Sequence, residues 1–223
     1  MKLSRGTGMF LAFVMVAIMC VVPVEAAREV RLVVDGRVVH KGTKGETTIE
    51  GGARIFYGDT VITSSNAVVN MNTNTAVLSG GVSLVQGDVT LTADTMNVNM
   101  KQDTAAVKGN IKLTKREQQQ EKDAQGKPVF TIITMTCDNL NISTATQDFT
   151  AEGRVSIVKD KQKAQADKAV YGNAAKTLTL TGAVNVTGEK DERIKCDKAT
   201  LHTDKELLEA EGKPIEITFT IED

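Results

Sequence analysis

The side chains able to do chemistry in this chain are few and evenly scattered. Ser65, Asp94, Asp138, Asp167 and Asp197 follow one another at intervals of 29, 44, 29 and 30 residues. General acid–base work needs groups that converge on one substrate bond, and carboxylates at that spacing build no shared site. Each Asp interrupts an apolar alternation, so the expected role is to bond nearby backbone amides and cap a turn. Cys137 and Cys196 precede Asp138 and Asp197, where Ala93 and Ala166 precede Asp94 and Asp167. A small buried side chain therefore explains these thiols better than redox or metal chemistry. Export would permit a disulfide, but spacing alone cannot bring their Cα atoms within the roughly 4.4–6.8 Å it needs. His40 and His202 have no ligand pattern beside them, which leaves no zinc site. Gly-x-Ser-x-Gly, a phosphate loop, His-Glu-x-x-His and a calcium loop are all missing. The expectation is a protein that binds, carries or scaffolds, with no enzymatic activity, cofactor or metal.

The elements that position these residues repeat. In LSGGVSLVQGDVTLTADTMNVNMKQDTAAVKGNIKLT, Leu78 to Thr114, apolar side chains fall on every second position and the beat restarts after each Gly. Gly51, Gly80, Gly109, Gly153, Gly182 and Gly212 are separated by 29, 29, 44, 29 and 30 residues. The long interval contains KREQQQEKDAQGKP, so residues 115–128 are expected to form an inserted polar loop. About six units of about 29 residues result, the mark of a repeat architecture. Period two predicts strands, and the helical template fails. Each unit is expected to give three short strands, exemplified by Val89–Ala93, Met96–Met100 and Ala105–Leu113, with Gly109 as a bend. The fold class is all-β, with two facing antiparallel sheets across an apolar interior.

Lys2 and Arg5, the apolar run Met9 to Val22, and Val24-Glu25-Ala26 lay out a cleavable signal peptide over residues 1–26. A membrane anchor needs about 20 apolar residues, and the run is shorter; if retained, it would tether the domain at 27–223. The chain carries 27 Lys and Arg against 28 Asp and Glu, a net charge of −1, and nothing in that balance asks for nucleic acid. Trp is absent and aromatics make up 4%, so Val, Ile, Leu, Met and Ala must build the interior. Met96, Met100 and Met135 are expected to supply adaptable side chains there. Such an interior is a closed core or a trough for alkyl chains.

The stretch LSGGVSLVQGDVTLTADTMNV resembles the repeat of the LptA/OstA-like family of periplasmic lipopolysaccharide-transport proteins. Ala106-Val-Lys-Gly-Asn-Ile-Lys-Leu repeats its first half, and Ile194-Lys-Cys-Asp-Lys-Ala-Thr-Leu its second. The resemblance covers roughly residues 30–220. It implies an open β-jellyroll that holds the lipid A acyl chains of lipopolysaccharide between its sheets. It also implies passage of that lipid from inner to outer membrane, with LptC-like and LptD-like jellyroll domains and further copies of the chain as partners. The side chains expected to pack against acyl chains are Ile62, Val69, Leu78, Val82, Leu84, Leu91, Met96, Val98, Val107, Ile111, Leu113, Met135, Leu140, Ile142 and Phe149. Lys112, Lys115, Arg116 and Arg154 are candidates for a phosphate-bearing head group. The terminal strands, within Val30–Val39 and Ile215–Ile221, leave unpaired backbone for head-to-tail self-association. Two rivals stand beside this reading: a scaffolding β-solenoid with a sealed core, and a membrane-tethered LptC-like subunit.

Overall fold

Alternating apolar residues place every second side chain on one face of a strand, and the computed structural model turns that pattern into sheet almost throughout. It describes residues 30–122, 125–190, 192–205 and 207–219; the expected signal peptide at 1–26 and Ile221 lie outside them. The strands are β1 (Val30–Val34), β2 (Arg37–Lys41), β3 (Glu46–Tyr57), β4 (Thr60–Asn70), β5 (Thr75–Gln86), β6 (Val89–Asn99) and β7 (Thr104–Lys122). They continue with β8 (Pro128–Ser143), β9 (Phe149–Lys159), β10 (Gln162–Gly172), β11 (Thr177–Thr187), β12 (Arg193–His202), β13 (Leu207–Glu211) and β14 (Glu216–Thr218). All belong to one 14-stranded sheet in which β3 to β13 pair in chain order. At one end β1 and β2 both pair with β3; at the other, β13 and β14 both pair with β12. Among the described residues no helix is long and apolar enough to cross a membrane.

The sheet is folded along a line that crosses every strand. Each pairing from β3–β4 to β11–β12 has a register shift near its middle. One side of that line holds the first halves of odd strands and second halves of even ones, bounded by β2 and β13. This is the first layer; the second, holding the other halves, is bounded by β1 and β14. Buried residues of both layers, such as Leu78 and Leu91, join one core cluster. The expected all-β class with two facing antiparallel layers is therefore what forms. The three short strands per unit are not. Val89–Ala93 and the residues from Met96 onward are two halves of the single bent strand β6, and β7 is bent likewise. Met100 falls in the turn after β6 and is exposed, outside the interior.

The bends come in two complementary kinds. In β5, Gly80 and Gly81 both have positive φ, and the apolar beat Leu78, Val82 continues through them. In β6 the beat slips from Ala93 to Met96, and Asp94 alone faces that glycine pair, since Ser79 pairs with Thr95 and Val82 with Ala93. Two residues opposed by one is a β-bulge, which bends a strand and keeps its faces in order. Neighbouring bends then lock together. Asn110 donates its amide to Asp94, and Ser65 donates to the Gly80 carbonyl at 2.6 Å. Arg154 donates from Nη2 and Nε to both oxygens of Asp138, at 2.6 and 3.1 Å, which holds that carboxyl below the usual range. The capping expected of these Asp residues is real, but at Asp94 and Asp138 its donors are side chains of the adjacent strand rather than amides of the same turn. At Asp197 a backbone amide, that of Lys213, takes the role.

The polar segment 115–128 is not a loop. β7 runs on to Lys122 and β8 starts at Pro128, with Arg116 opposite Ile132 and Gln118 opposite Phe130. The insertion lengthens one hairpin into an arm of the second layer.

Candidate functional site: an apolar lane between two layers

Cross-strand neighbours share a face, so the register traces what the interior presents. Across the first layer one row reads Val38, Ile49, Ala67, Leu78, Met96, Val107, Leu140, Ala151, Ala169, Leu180, Ala199, Ala210. Across the second, a row reads Leu32, Ile55, Ile62, Leu84, Leu91, Leu113, Met135, Ile157, Ala164, Val186, Ile194, Ile217. Neither row contains a polar side chain. At a strand spacing of about 4.8 Å each spans roughly 50 Å. The two face each other and define a lane perpendicular to the strands.

All fifteen side chains expected to line the interior lie on inward rows: the two above, the bend-flanking positions Val82 and Ile111, and the row Val69, Val98, Ile142, Phe149. They differ in access. Ile62, Val69 and Val98 are half-buried, and the rest are buried against the opposite layer. The lane is closed along its middle and opens at its two ends. Val38 at the first edge is 50% exposed, although it faces inward opposite Ile49. Ile217 at the last edge is 59% exposed opposite Ile194.

The bends join the layers along one long side. The turns between strands line the other, and there the inward row becomes polar. On the second layer it reads Val89, Lys115, Ile133, Lys159, Gln162. Lys115 is buried and sits 2.8 Å from the Glu117 carboxylate. Of the other head-group candidates, Arg154 is engaged by Asp138 at the bend, Arg116 lies 3.8 Å above the Phe130 ring, and Lys112 faces outward beside Thr136. Lys159 was not among the candidates. It continues the inward parity of Val155 and Ile157, and that alternation is the signal that finds it.

The cysteines have no part in a site. Cys137 and Cys196 are free and buried. Four strand spacings, about 19 Å, separate β8 from β12 within the second layer, far beyond disulfide reach. Burial pushes the Cys137 thiol up to about 12, with Asp138 adding to the shift, so it stays protonated at neutral pH. No group of His, Cys, Asp and Glu able to hold a metal ion occurs among the described residues.

A family model described as "LptA/(LptD N-terminal domain) LPS transport protein" matches residues 61–207. The chain belongs to this family of lipopolysaccharide-transport proteins. No curated protein matches it. Among solved structures it is similar to LptH, described as the LptA homologous periplasmic component of the conserved lipopolysaccharide transport device from Pseudomonas aeruginosa. That match has 11% identity, covers 58% of this chain and 94% of that one, and has a TM-score of 0.49.

Proposed function

We propose that the mature chain, residues 27–223 after loss of the signal peptide at 1–26, is a periplasmic lipid carrier. It holds the acyl chains of lipid A in the lane and passes lipopolysaccharide from inner to outer membrane. The observation that carries this reading is the pair of unbroken apolar rows ending in exposed inward side chains at both edges. Each methylene left in water costs about 0.8 kcal/mol, so a lipid with several chains crosses an aqueous gap only under apolar cover. Lipid tails are as apolar as Leu. Replacing packing within the apolar core by chain contacts as the layers part therefore exposes little apolar surface. No bond is made or broken, and no catalytic group or cofactor is required.

The polar inward row at the turn-lined side suits the rest of the lipid. Lys115 and Lys159 flank Ile133 there and are the cations proposed to meet the phosphates of a lipid A head group, Lys115 by exchanging its Glu117 partner. At the two ends, adding another edge would continue both layers and the lane together. The partners proposed are a second copy, head to tail, and LptC-like and LptD-like jellyroll domains.

The rival is a sealed structural core, favoured by the full burial of Leu78 and Met135. A photo-cross-linking side chain at Val98 or Ile62, both half-buried, separates the two. Incubated with lipopolysaccharide and irradiated, the carrier yields lipid adducts from these positions and none from outward Thr92. Absence of adducts from every inward position would leave only the scaffold.

A further inference from the structure

A hollow of about 820 Å³ opens on the molecule outside the lane. Three adjacent cross-strand rows of the first layer line it, the middle one being the inward row from Ala76 and Val98 to Phe149 and Tyr171; the row nearest the bend is Val77, Asn97, Ala106, Asn141, Thr150 and Val170. These residues alternate with the inward row that includes Phe149 and Tyr171, whose members are buried or half-buried. Val77 is 46% and Val170 38% exposed. The hollow is therefore a concavity of the outer face.

Its chemistry is unlike the chain as a whole. A quarter of the residues are charged, yet the outward row nearest the bend has no charge, and neither has the next outward row toward the turns from Thr75 through Asn99 to Ser143. The one charged lining residue, Asp148, accepts the Asn173 amide at 2.7 Å. Asn97 and Asn141 each bring two donors and an acceptor, and Thr150 brings a hydroxyl. The valines and Ala106 supply aliphatic floor between them. An anionic ligand finds no cation here, and an alkyl chain would desolvate amides without pairing them. A neutral sugar chain matches both parts: hydroxyls for the amides, and C–H faces for the methyls. The position narrows the source. The hollow starts at the turn-bearing margin of the first layer, the long side opposite the bends, where the layers of the proposed carrier part to admit lipid. A saccharide joined to lipid whose tails lie inside leaves the lane at that margin and reaches the outer face by bending over it.

We infer that this outer hollow binds the neutral saccharide portion of the same lipopolysaccharide whose acyl chains occupy the lane; the assignment rests on the carrier reading above. It is tested by titrating ¹⁵N-labelled mature protein with lipid-free polysaccharide released from lipopolysaccharide by mild acid. The expected result is amide shift changes centred on Asn97, Ala106, Asn141 and Thr150, with at least tenfold weaker binding in an Asn97→Ala/Asn141→Ala variant of unchanged melting temperature. If that variant unfolds, Val77→Lys at an exposed position replaces it, with the same loss expected. Shift changes located elsewhere, none at saturating polysaccharide, or undiminished binding by the folded variant would overturn the site. Dextran bound as tightly would overturn the assignment to the lipopolysaccharide saccharide. The photo-adduct from Ile62, which lies in the lane and not in the hollow, is read on the same protein. Adducts without shift changes remove the hollow and keep the carrier, whereas shift changes without adducts keep a glycan site and remove the carrier.

Discussion

At the scale of single residues the bend is the most demanding place in this chain. Gly153 has φ +78°, and a Cβ there would stand 2.5 Å from an Asp138 carboxylate oxygen. The Gly153→Ala variant therefore meets both backbone strain and a clash, and is expected to lose about 1–3 kcal/mol in urea unfolding. Its neighbour gives the contrast. Arg154 grips Asp138 with two hydrogen bonds, but both side chains meet solvent. Solvent screens an exposed pair of this kind, so Arg154→Ala should cost less than Gly153→Ala. The sign of its pH dependence is fixed by the direction of the Asp138 shift. The folded carboxyl is held low, so the contribution of the pair is present above the ordinary carboxylate range and lost as pH falls through the lowered value.

At the scale of elements, the arm formed by the ends of β7 and β8 is the one addition to the repeat. Joining Gln118 to Phe130, which are paired, through a two-residue Asn-Gly turn preserves the pairs that meet the rest of the sheet. Unfolding free energy should change by no more than about 1 kcal/mol, since hairpin closure by a short turn is favourable and loop length weighs weakly. A larger loss would mean that the arm braces the layers. The arm also shows what sequence could not disclose. KREQQQEK has no apolar beat; its extension is imposed by Phe130 and Ile132 across the ladder. Likewise, the step of three from Ala93 to Met96 is the same whether a strand ends or bulges. Only the resumption of pairing at Thr95–Ser79 distinguishes the two. Which way Leu84, Leu91 or Met135 points was legible, because facing is a local matter of parity. How tightly the far layer covers them was not, because that depends on the angle between halves of strands distant in sequence. The hollow was equally hidden, since Val77 and Val170 become its ends only through the curvature of the strands between them.

At the scale of the whole molecule, the proposed assembly rests on the two edges. Val38 and Ile217 are inward-facing yet half exposed or more, and each belongs to a terminal strand with unpaired backbone on its outer side. Head-to-tail addition is heterologous and need not close. Val38→Lys and Ile217→Lys should each hold the protein monomeric in sedimentation velocity where the parent chain lengthens with concentration. Mixed together, the two variants keep one sound edge apiece and should stop at dimers. Longer species in the mixture, or growth of either variant alone, would discard the edge-to-edge arrangement.

The terminal segments add something to that joint. β1 and β2 lie on different layers yet follow one another through Asp35 and Gly36, where the Asp35 amide donates to the Gly52 carbonyl at 3.1 Å. β13 and β14 divide in the same way at the far end. Each edge is thus a plug with two prongs set at a fixed angle, and a two-pronged plug does not swivel in its socket. In the proposed head-to-tail assembly successive copies would inherit one orientation, and the pitch of the filament would follow from the twist of the sheet. The passage through it would be keyed like a rifled bore, with the cleft of every unit meeting the next at the same roll.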